Sequence, residues 1–240
     1  MKKALFFLFT SFTLFSDQVL HSVNHNKPYQ ETPDSLEFYR SHLVNAVPLD
    51  SDAEVLRYAS DHANKDGVFI ELGVWKARTV NFIAALNPHK TIYGFDSFEG
   101  LPTDWDKGDR VFSKGLFSWP QGQPMPLMLL NVELIKGLFT DTLPVFTQTH
   151  LQDTTLSFVH VDCDVYSSTI DALNILGPYM TEGTILVFDE LYNYPNYQNH
   201  EWKALQEFLT NHAFEAEYLA FNPVHEQVAI RLHQISANGR

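Results

Sequence analysis

The chain has a single cysteine, Cys163, among its 240 residues. One cysteine excludes an internal disulfide framework and a zinc site that is built from several thiolates. The sequence also lacks any run of about 20 apolar residues, the length that a membrane-spanning helix requires. We therefore expect neither a disulfide-stapled fold nor a stable membrane span.

Basic residues are scarce relative to acidic ones. Lys and Arg number 16 against 29 Asp and Glu, which gives a formal net charge of -13. A protein this acidic is repelled by phosphate backbones, so no nucleic-acid partner is expected. Hydrophobic residues make up 45% of the chain. This fraction excludes a disordered chain and is sufficient for one sizeable core.

The first 33 residues differ in composition from the rest of the chain. Two lysines precede an apolar stretch at residues 4–15, a pattern that resembles the charged and apolar regions of a secretory signal peptide over residues 1–16. No clear small-residue cleavage site follows near Ser16. The alternative is an element that packs on the body or faces a partner, and its exchange between subunits would make a homo-oligomer. We expect one domain over residues 34–240.

Short apolar runs alternate with helical periodicity through most of that domain. The alternation predicts a Rossmann-like, doubly wound α/β fold with about seven strands, a mainly parallel sheet and an antiparallel last strand. Residues 35–63 predict two N-terminal helices, and Ser168 with Asp171 has the spacing of a capping box at the start of a later helix. The predicted core strands are Val68–Ile70, Thr91–Phe95, Val132–Ile135, Leu156–Val161 and Thr184–Phe188.

Acidic residues follow four of these five strands. In a doubly wound sheet, ligands bind at the carboxyl ends of the strands. The acids are therefore expected to lie together at one ligand-binding edge. They are Glu71, Asp96, Asp162 and the pair Asp189–Glu190.

The first strand end carries the features of a cofactor-binding turn. Gly73 permits a tight turn and a close approach of the backbone to a ligand, and Thr79 offers a hydroxyl near the start of the next helix. Asp96, at the end of the following strand, is placed to accept hydrogen bonds from ribose hydroxyls. No G-x-G-x-x-G motif is present to hold a pyrophosphate. S-adenosylmethionine, which has a ribose but no pyrophosphate, fits this pattern.

Four sequence blocks carry a resemblance to a known family. They are YGFDSFEGLP at residues 93–102, IKGLFTDTLP at 135–144, HVDCDVYSST at 160–169, and VFDE at 187–190 followed by Tyr194-Pro195. In this order they resemble the macrocin O-methyltransferase (TylF-like) family, over roughly residues 35–233. The family comprises class I S-adenosylmethionine-dependent methyltransferases, several of which methylate a sugar hydroxyl with the help of a divalent metal. The cofactor is cytosolic, so the resemblance favours a cytoplasmic protein.

The resemblance also implies site residues. The family loop usually has a second glycine where Ala77 stands here. Carried over by position, the implied contacts are Glu71 and Gly73 with the methionine end of the cofactor, Asp96 and Ser97 with the ribose, Phe139 and Asp141 with the adenine, and Asp162, Asp189 and Glu190 with Mg²⁺ and the acceptor hydroxyl.

Methyl transfer to a hydroxyl of a small molecule needs help in removing a proton. A carboxylate or imidazole base can supply it, as can a metal that lowers the pKa of the hydroxyl. Asp162 and His200 are the candidate bases, whereas Asp164 is expected to cap or brace the next helix. Residues 98–119 predict a lid. Two alternatives remain open, a metal-independent methyltransferase and a non-catalytic nucleoside-binding or scaffolding protein on the same fold.

Overall fold

The computed structural model describes residues 33–235. The N-terminal apolar segment, and with it the signal-peptide alternative, lies outside the described residues. Among the residues that are described, no helix is long and apolar enough to cross a membrane.

The strands alternate with helices along the described part of the chain. The strands are β1 (Val47–Pro48), β2 (Val68–Leu72), β3 (Ile92–Asp96), β4 (Trp105–Asp106), β5 (Val111–Phe112), β6 (Val132–Lys136), β7 (Leu156–Val161), β8 (Met180–Phe188), β9 (Phe214–Phe221) and β10 (Val228–Gln234). The helices are α1 (Pro33–Phe38), a π-helical turn (Tyr39–Leu43), α2 (Asp52–His62), α3 (Arg78–Leu86), α4 (Phe139–His150), α5 (Tyr166–Leu176) and α6 (Glu201–His212), with 3-10 turns at Gly177–Tyr179 and Tyr197–Asn199.

One sheet organises the molecule, with the strand order β1-β9-β10-β8-β7-β2-β3-β6. Strands β8, β7, β2, β3 and β6 run parallel, while β10 is antiparallel to both β8 and β9. This confirms the predicted mainly parallel sheet with an antiparallel last strand, to which β1 adds a two-residue edge. Strands β4 and β5 form a separate hairpin.

The central strands are buried because helices cover both faces of the sheet. Alternate residues of a strand point to opposite faces, so Val159 packs with α4, α5 and α6, while Phe158 packs with α2 and α3. All six residues of β7 are buried. Strands that are buried on both faces require the continuous apolar runs seen in the sequence.

The predicted capping box is wrong. Helix α5 begins at Tyr166, its N-cap residue is Val165, and no side chain caps it. Ser168 therefore already lies in the first turn, and Thr169 bonds the carbonyl oxygen of Val165 within the helix at 3.0 Å. The chain is helical before the polar pair that suggested the start, so the spacing alone was misleading.

Candidate active site

The carboxyl ends of four neighbouring parallel strands are level with one another. Leu72 of β2 pairs with Phe95 of β3 and with Val161 of β7, which in turn pairs with Phe188 of β8. The residues that follow these strands therefore open onto one cavity of about 1220 Å³. Among its lining residues are six of the predicted site residues at these strand ends, namely Gly73, Asp96, Ser97, Asp162, Asp189 and Glu190.

The turn after β2 contains three residues with left-handed backbone, Gly73, Trp75 and Ala77. Gly73 has φ +93°, and a Cβ there would lie 1.7 Å from the carbonyl oxygen of Asp162. Only glycine allows strands β2 and β7 to approach so closely at this point. Ala77 also has positive φ, 61°, and is fully buried. That conformation explains why glycine suits the position, and alanine there costs about 1–2 kcal/mol.

Asp96 fastens this turn to the end of β3. Its Oδ2 accepts hydrogen bonds from the backbone N–H groups of Val74 at 2.8 Å and Trp75 at 2.7 Å, and its Oδ1 accepts from Phe98 at 2.6 Å. Carboxylate oxygens have further lone pairs, so Asp96 can still accept from a ligand in the cavity. Ser97 lies beside it in the cavity wall.

Glu71 lies beneath the cavity instead of in its wall. It is fully buried and is not among the lining residues, although Thr79 is. Its Oε1 accepts from Thr79 Oγ1 at 3.0 Å, and its Oε2 pairs with His160 Nδ1 at 3.0 Å. Burial raises the pKa of Glu71, partly offset by the bond to His160. Glu71 was expected to contact the cofactor; the structure connects it to the cavity wall through the hydroxyl of Thr79.

The two residues expected near an adenine are separated by the start of α4. Phe139 lines the cavity, together with Leu138 and Thr140. Asp141 lies in the first turn of α4, is exposed, and is not among the lining residues. The structure therefore places Phe139 in the cavity wall and Asp141 outside it.

Three carboxylates converge in the wall of the cavity. One oxygen each of Asp162, Asp164 and Glu190 lies within 4.8 Å of the others. Asp164 was expected to cap or brace α5, but it adopts a left-handed backbone with φ 64°, and no side chain within residues 33–235 caps that helix. It stands in this group where Asp189 was expected. The Oδ1 atom of Asp189 instead accepts from Gln227 Nε2 at 3.1 Å.

Burial, together with repulsion between neighbouring acids, raises the pKa values of these three carboxyl groups. Burial raises the pKa of Asp162 and of Glu190 well above the usual range, and repulsion from Asp189 adds to the effect. Burial raises the pKa of Asp164 to about 7, although the nearby Lys107 ammonium lowers it. The Oε2 atom of Glu190 is buried and has no hydrogen-bond partner among the described residues. Carboxylate oxygens are the hard ligands that Mg²⁺ prefers, so this group of acids fits a magnesium ion.

His200, a candidate base in the sequence, is committed elsewhere. Its Nε2 donates to the backbone carbonyl oxygen of Asp106 at 2.8 Å, and it is not among the residues that line the cavity. Burial lowers the pKa of His200. The geometry therefore brings His200 to the β4–β5 hairpin and not to the carboxylates.

Sequence reasoning missed three charged residues around the carboxylate group. Lys107 comes from the β4–β5 hairpin, within the segment that was predicted as a lid, and it lines the cavity with Glu226. Glu201, at the start of α6, is fully buried, and its Oε2 accepts from the backbone N–H of Glu190. None of the three lies in a strand or follows one of the central strand ends, so no pattern marked them.

A family model for macrocin-O-methyltransferase (TylF) matches residues 54–221. The chain belongs to this family. Its membership confirms the family and the methyltransferase class of enzyme that the four sequence blocks indicated. A curated relative from Streptomyces olivaceus, 8-demethyl-8-(2,3-dimethoxy-alpha-L-rhamnosyl)-tetracenomycin-C 4'-O-methyltransferase, is 30% identical over 156 residues. That match covers 56% of this chain and only 58% of the relative's length.

Solved methyltransferase structures share the fold. The crystal structure of CalS11, a calicheamicin methyltransferase, is 25% identical with a TM-score of 0.57, covering 92% of this chain and 91% of that one. The O-methyltransferase NovP is 21% identical with a TM-score of 0.52, covering 74% and 78%. These similarities confirm the class I methyltransferase fold predicted from the sequence.

Proposed function

We propose that this protein transfers a methyl group from S-adenosylmethionine to a hydroxyl of a sugar-containing small molecule, assisted by a divalent cation. The observation that carries the proposal is the convergence of Asp162, Asp164 and Glu190 on the cavity that Gly73 and Asp96 also line. Cofactor-type and metal-type features thus face the same space.

The cofactor would bind along the turn between β2 and α3. Asp96 would accept from the ribose hydroxyls, with Ser97 beside it, and Phe139 would contact the adenine. Thr79, which is held by Glu71, would present its hydroxyl near the methionine end. Asp141 would not contact the adenine directly and would affect it only through the position of the first turn of α4. The ribose, adenine and methionine-end assignments are carried over from the family by position, and Thr79, Asp96, Ser97 and Phe139 line the cavity.

The carboxylate group would prepare the acceptor. Asp162, Asp164 and Glu190 would hold Mg²⁺, with Asp189 beside them, and the bound ion would lower the pKa of the acceptor hydroxyl. A carboxylate oxygen of Asp162 or Asp164 would take the proton of the acceptor hydroxyl. S-adenosylmethionine would supply the methyl group and would leave as S-adenosylhomocysteine. Holding oxygen and methyl at attack distance contributes about 7–11 kcal/mol, more than a single base supplies.

A sugar acceptor is supported by the size and lining of the cavity. Its volume of about 1220 Å³ exceeds the 300–1,000 Å³ of typical ligand sites, so cofactor and acceptor fit together. Phe112 and Phe117 of the segment predicted as a lid provide apolar faces, and Asn193 with Tyr194 adds polar groups. The name of the curated relative specifies a rhamnosyl hydroxyl as its own acceptor.

Location and partners follow from the same proposal. We place the protein in the cytoplasm, where S-adenosylmethionine is made, and expect no nucleic-acid partner because of the net charge of -13. A homo-oligomer through the N-terminal segment stays a prediction.

The test is incubation of the protein with S-adenosylmethionine and a panel of rhamnosides. Product formation is measured as release of S-adenosylhomocysteine and as the mass of the methylated product. We expect methylated product in the presence of Mg²⁺, its loss on chelation by EDTA, and its recovery when Mg²⁺ is restored. Asp162→Asn and Asp164→Asn should lower kcat by at least about 100-fold. Turnover that is insensitive to EDTA would favour the metal-independent alternative, and tight cofactor binding without any product would favour the non-catalytic one.

A further inference from the structure

The β4–β5 hairpin carries a buried lysine to the edge of the carboxylate group. The Nζ atom of Lys107 donates to Glu226 Oε2 at 2.6 Å, and its side chain is 7% exposed. The same atom lies 4.4 Å from the ring centroid of Trp105 and 4.3 Å from that of Tyr194. An ammonium group in such surroundings persists only with anionic and aromatic partners, so Lys107 is a fixed internal cation.

The hairpin is held in place by contacts that do not involve the lysine side chain. The carbonyl oxygen of Asp106 accepts from His200 Nε2 at 2.8 Å and from Asn196 Nδ2 at 2.7 Å. Gly108 packs so closely on Pro195 that a Cβ would lie 2.9 Å from the proline Cβ. The backbone of Lys107 is therefore anchored to the loop after β8, and removing its charge should leave the hairpin in position.

The charge of Lys107 acts on the same acids that are proposed to hold Mg²⁺. Burial lowers the pKa of Lys107, but the carboxylates of Glu190, Glu226 and Asp164 outweigh it and raise the pKa above its ordinary value. A divalent ion between Asp164 and Glu190 would interact with these carboxylates as well. Two cations in one negative field repel each other, and at low effective dielectric this repulsion is large.

We propose that Lys107 is the resident counter-cation of the carboxylate group and that its charge weakens the binding of a divalent ion there. The inference rests on the proposed function for the presence of that ion. Glu226 has the opposite effect on the affinity for the divalent ion, because its carboxylate neutralises part of the Lys107 charge. Removal of the lysine charge should tighten metal binding, whereas removal of the Glu226 charge should loosen it.

The experiment is titration of the folded protein, saturated with S-adenosylhomocysteine, with Mn²⁺ followed by electron paramagnetic resonance and with Mg²⁺ followed by calorimetry. Lys107→Met should tighten both ions about tenfold, and Glu226→Gln should weaken them about tenfold. Lys107→Arg keeps the charge and should bind as the unmodified protein does. Lys114→Met removes a lysine from the same segment, outside the residues that line the cavity, and is the matched control.

Metal affinity that is unchanged or weakened in Lys107→Met would overturn the inference. If that variant fails to fold, Lys107→Arg and Glu226→Gln still decide, since equal affinities in Glu226→Gln and the unmodified protein contradict it. When every variant binds S-adenosylhomocysteine and none takes up either ion, both this inference and the metal part of the proposed function fail. An ion bound equally by all the variants removes only the role of Lys107.

Discussion

The backbone N–H of Glu190 donates a hydrogen bond to the Glu201 carboxylate at 3.1 Å. This bond joins the start of α6 to Glu190. The Oε2 atom of Glu190 is buried and has no hydrogen-bond partner within the part of the chain that the structure describes. Glu201 is itself fully buried, and burial raises its pKa well above the usual range. Glu201, a buried acid outside the residues that line the cavity, therefore helps to position Glu190.

Removal of the Glu201 carboxylate should loosen the proposed metal site. In Glu201→Ala, the backbone N–H of Glu190 loses its hydrogen-bond acceptor. The backbone of Glu190, and with it the carboxylate, is then held less firmly. Mutation of residues that orient metal ligands typically lowers metal affinity by about 10–100-fold. We therefore expect at least about a tenfold loss of Mn²⁺ affinity. Binding of S-adenosylhomocysteine should stay unchanged. Gln206→Ala, on the exposed face of the same helix, is the control, and equal Mn²⁺ affinity in both variants would contradict the role.

Alanine at Gly73 should be far more damaging than alanine at Gly115. Both glycines have positive φ, +93° and +82°, so the backbone penalty of about 1–2 kcal/mol is shared. A Cβ at Gly73 would meet the Asp162 carbonyl oxygen at 1.7 Å, whereas none of the described atoms lies within 4 Å of one at Gly115. We expect Gly73→Ala to lower the free energy of unfolding by about 3 kcal/mol or more. Urea denaturation measures the difference, and similar losses at the two positions would refute the proposed role of this turn.

The last strand should make stability depend on pH through His233. Its Nδ1 bonds Glu182 at 2.6 Å and its Nε2 bonds Glu217 at 3.2 Å, and these bonds raise its pKa above the ordinary 6.5. The folded state binds the proton more tightly than the unfolded state, so this stabilisation is complete below 6.5 and is lost as the pH rises through the raised pKa.

The difference in urea midpoint between the unmodified protein and His233→Gln should therefore be larger at about pH 5.5 than at about pH 9. His89→Gln, at an exposed histidine before β3, provides the comparison. A difference that grows with increasing pH would have the wrong sign.

The sequence was sufficient for the fold because the central strands are buried on both faces. Continuous apolar runs that are separated by helical segments are typical of buried parallel strands, and Leu156–Val161 became β7 with the same bounds. The acids after these runs followed from the parallel topology, since aligned strand ends bring Asp96, Asp162 and Asp189 to one cavity.

The rest of the site depends on tertiary contacts that no local pattern records. Lys107 and Glu226 are 119 positions apart and meet only because the hairpin folds over the loop before β10. Asp164 was expected to cap or brace the next helix because it precedes Tyr166 and Ser168, but the chain adopts a left-handed conformation at Asp164. Glu71 was placed at the correct strand end, but its side chain points to His160, a partner from the neighbouring strand β7.

The proposed function requires Asp96 and its neighbours to form an adenosine site. Calorimetric titration with S-adenosylhomocysteine tests this requirement, with Asp96→Asn as the variant and Glu99→Gln, an exposed acid three residues later, as the control. We expect micromolar binding by the unmodified protein and by Glu99→Gln, and a loss of at least about tenfold in Asp96→Asn, because a charged acceptor is replaced by a neutral one. Absence of binding by the unmodified protein, or equal affinity in Asp96→Asn, would contradict this requirement.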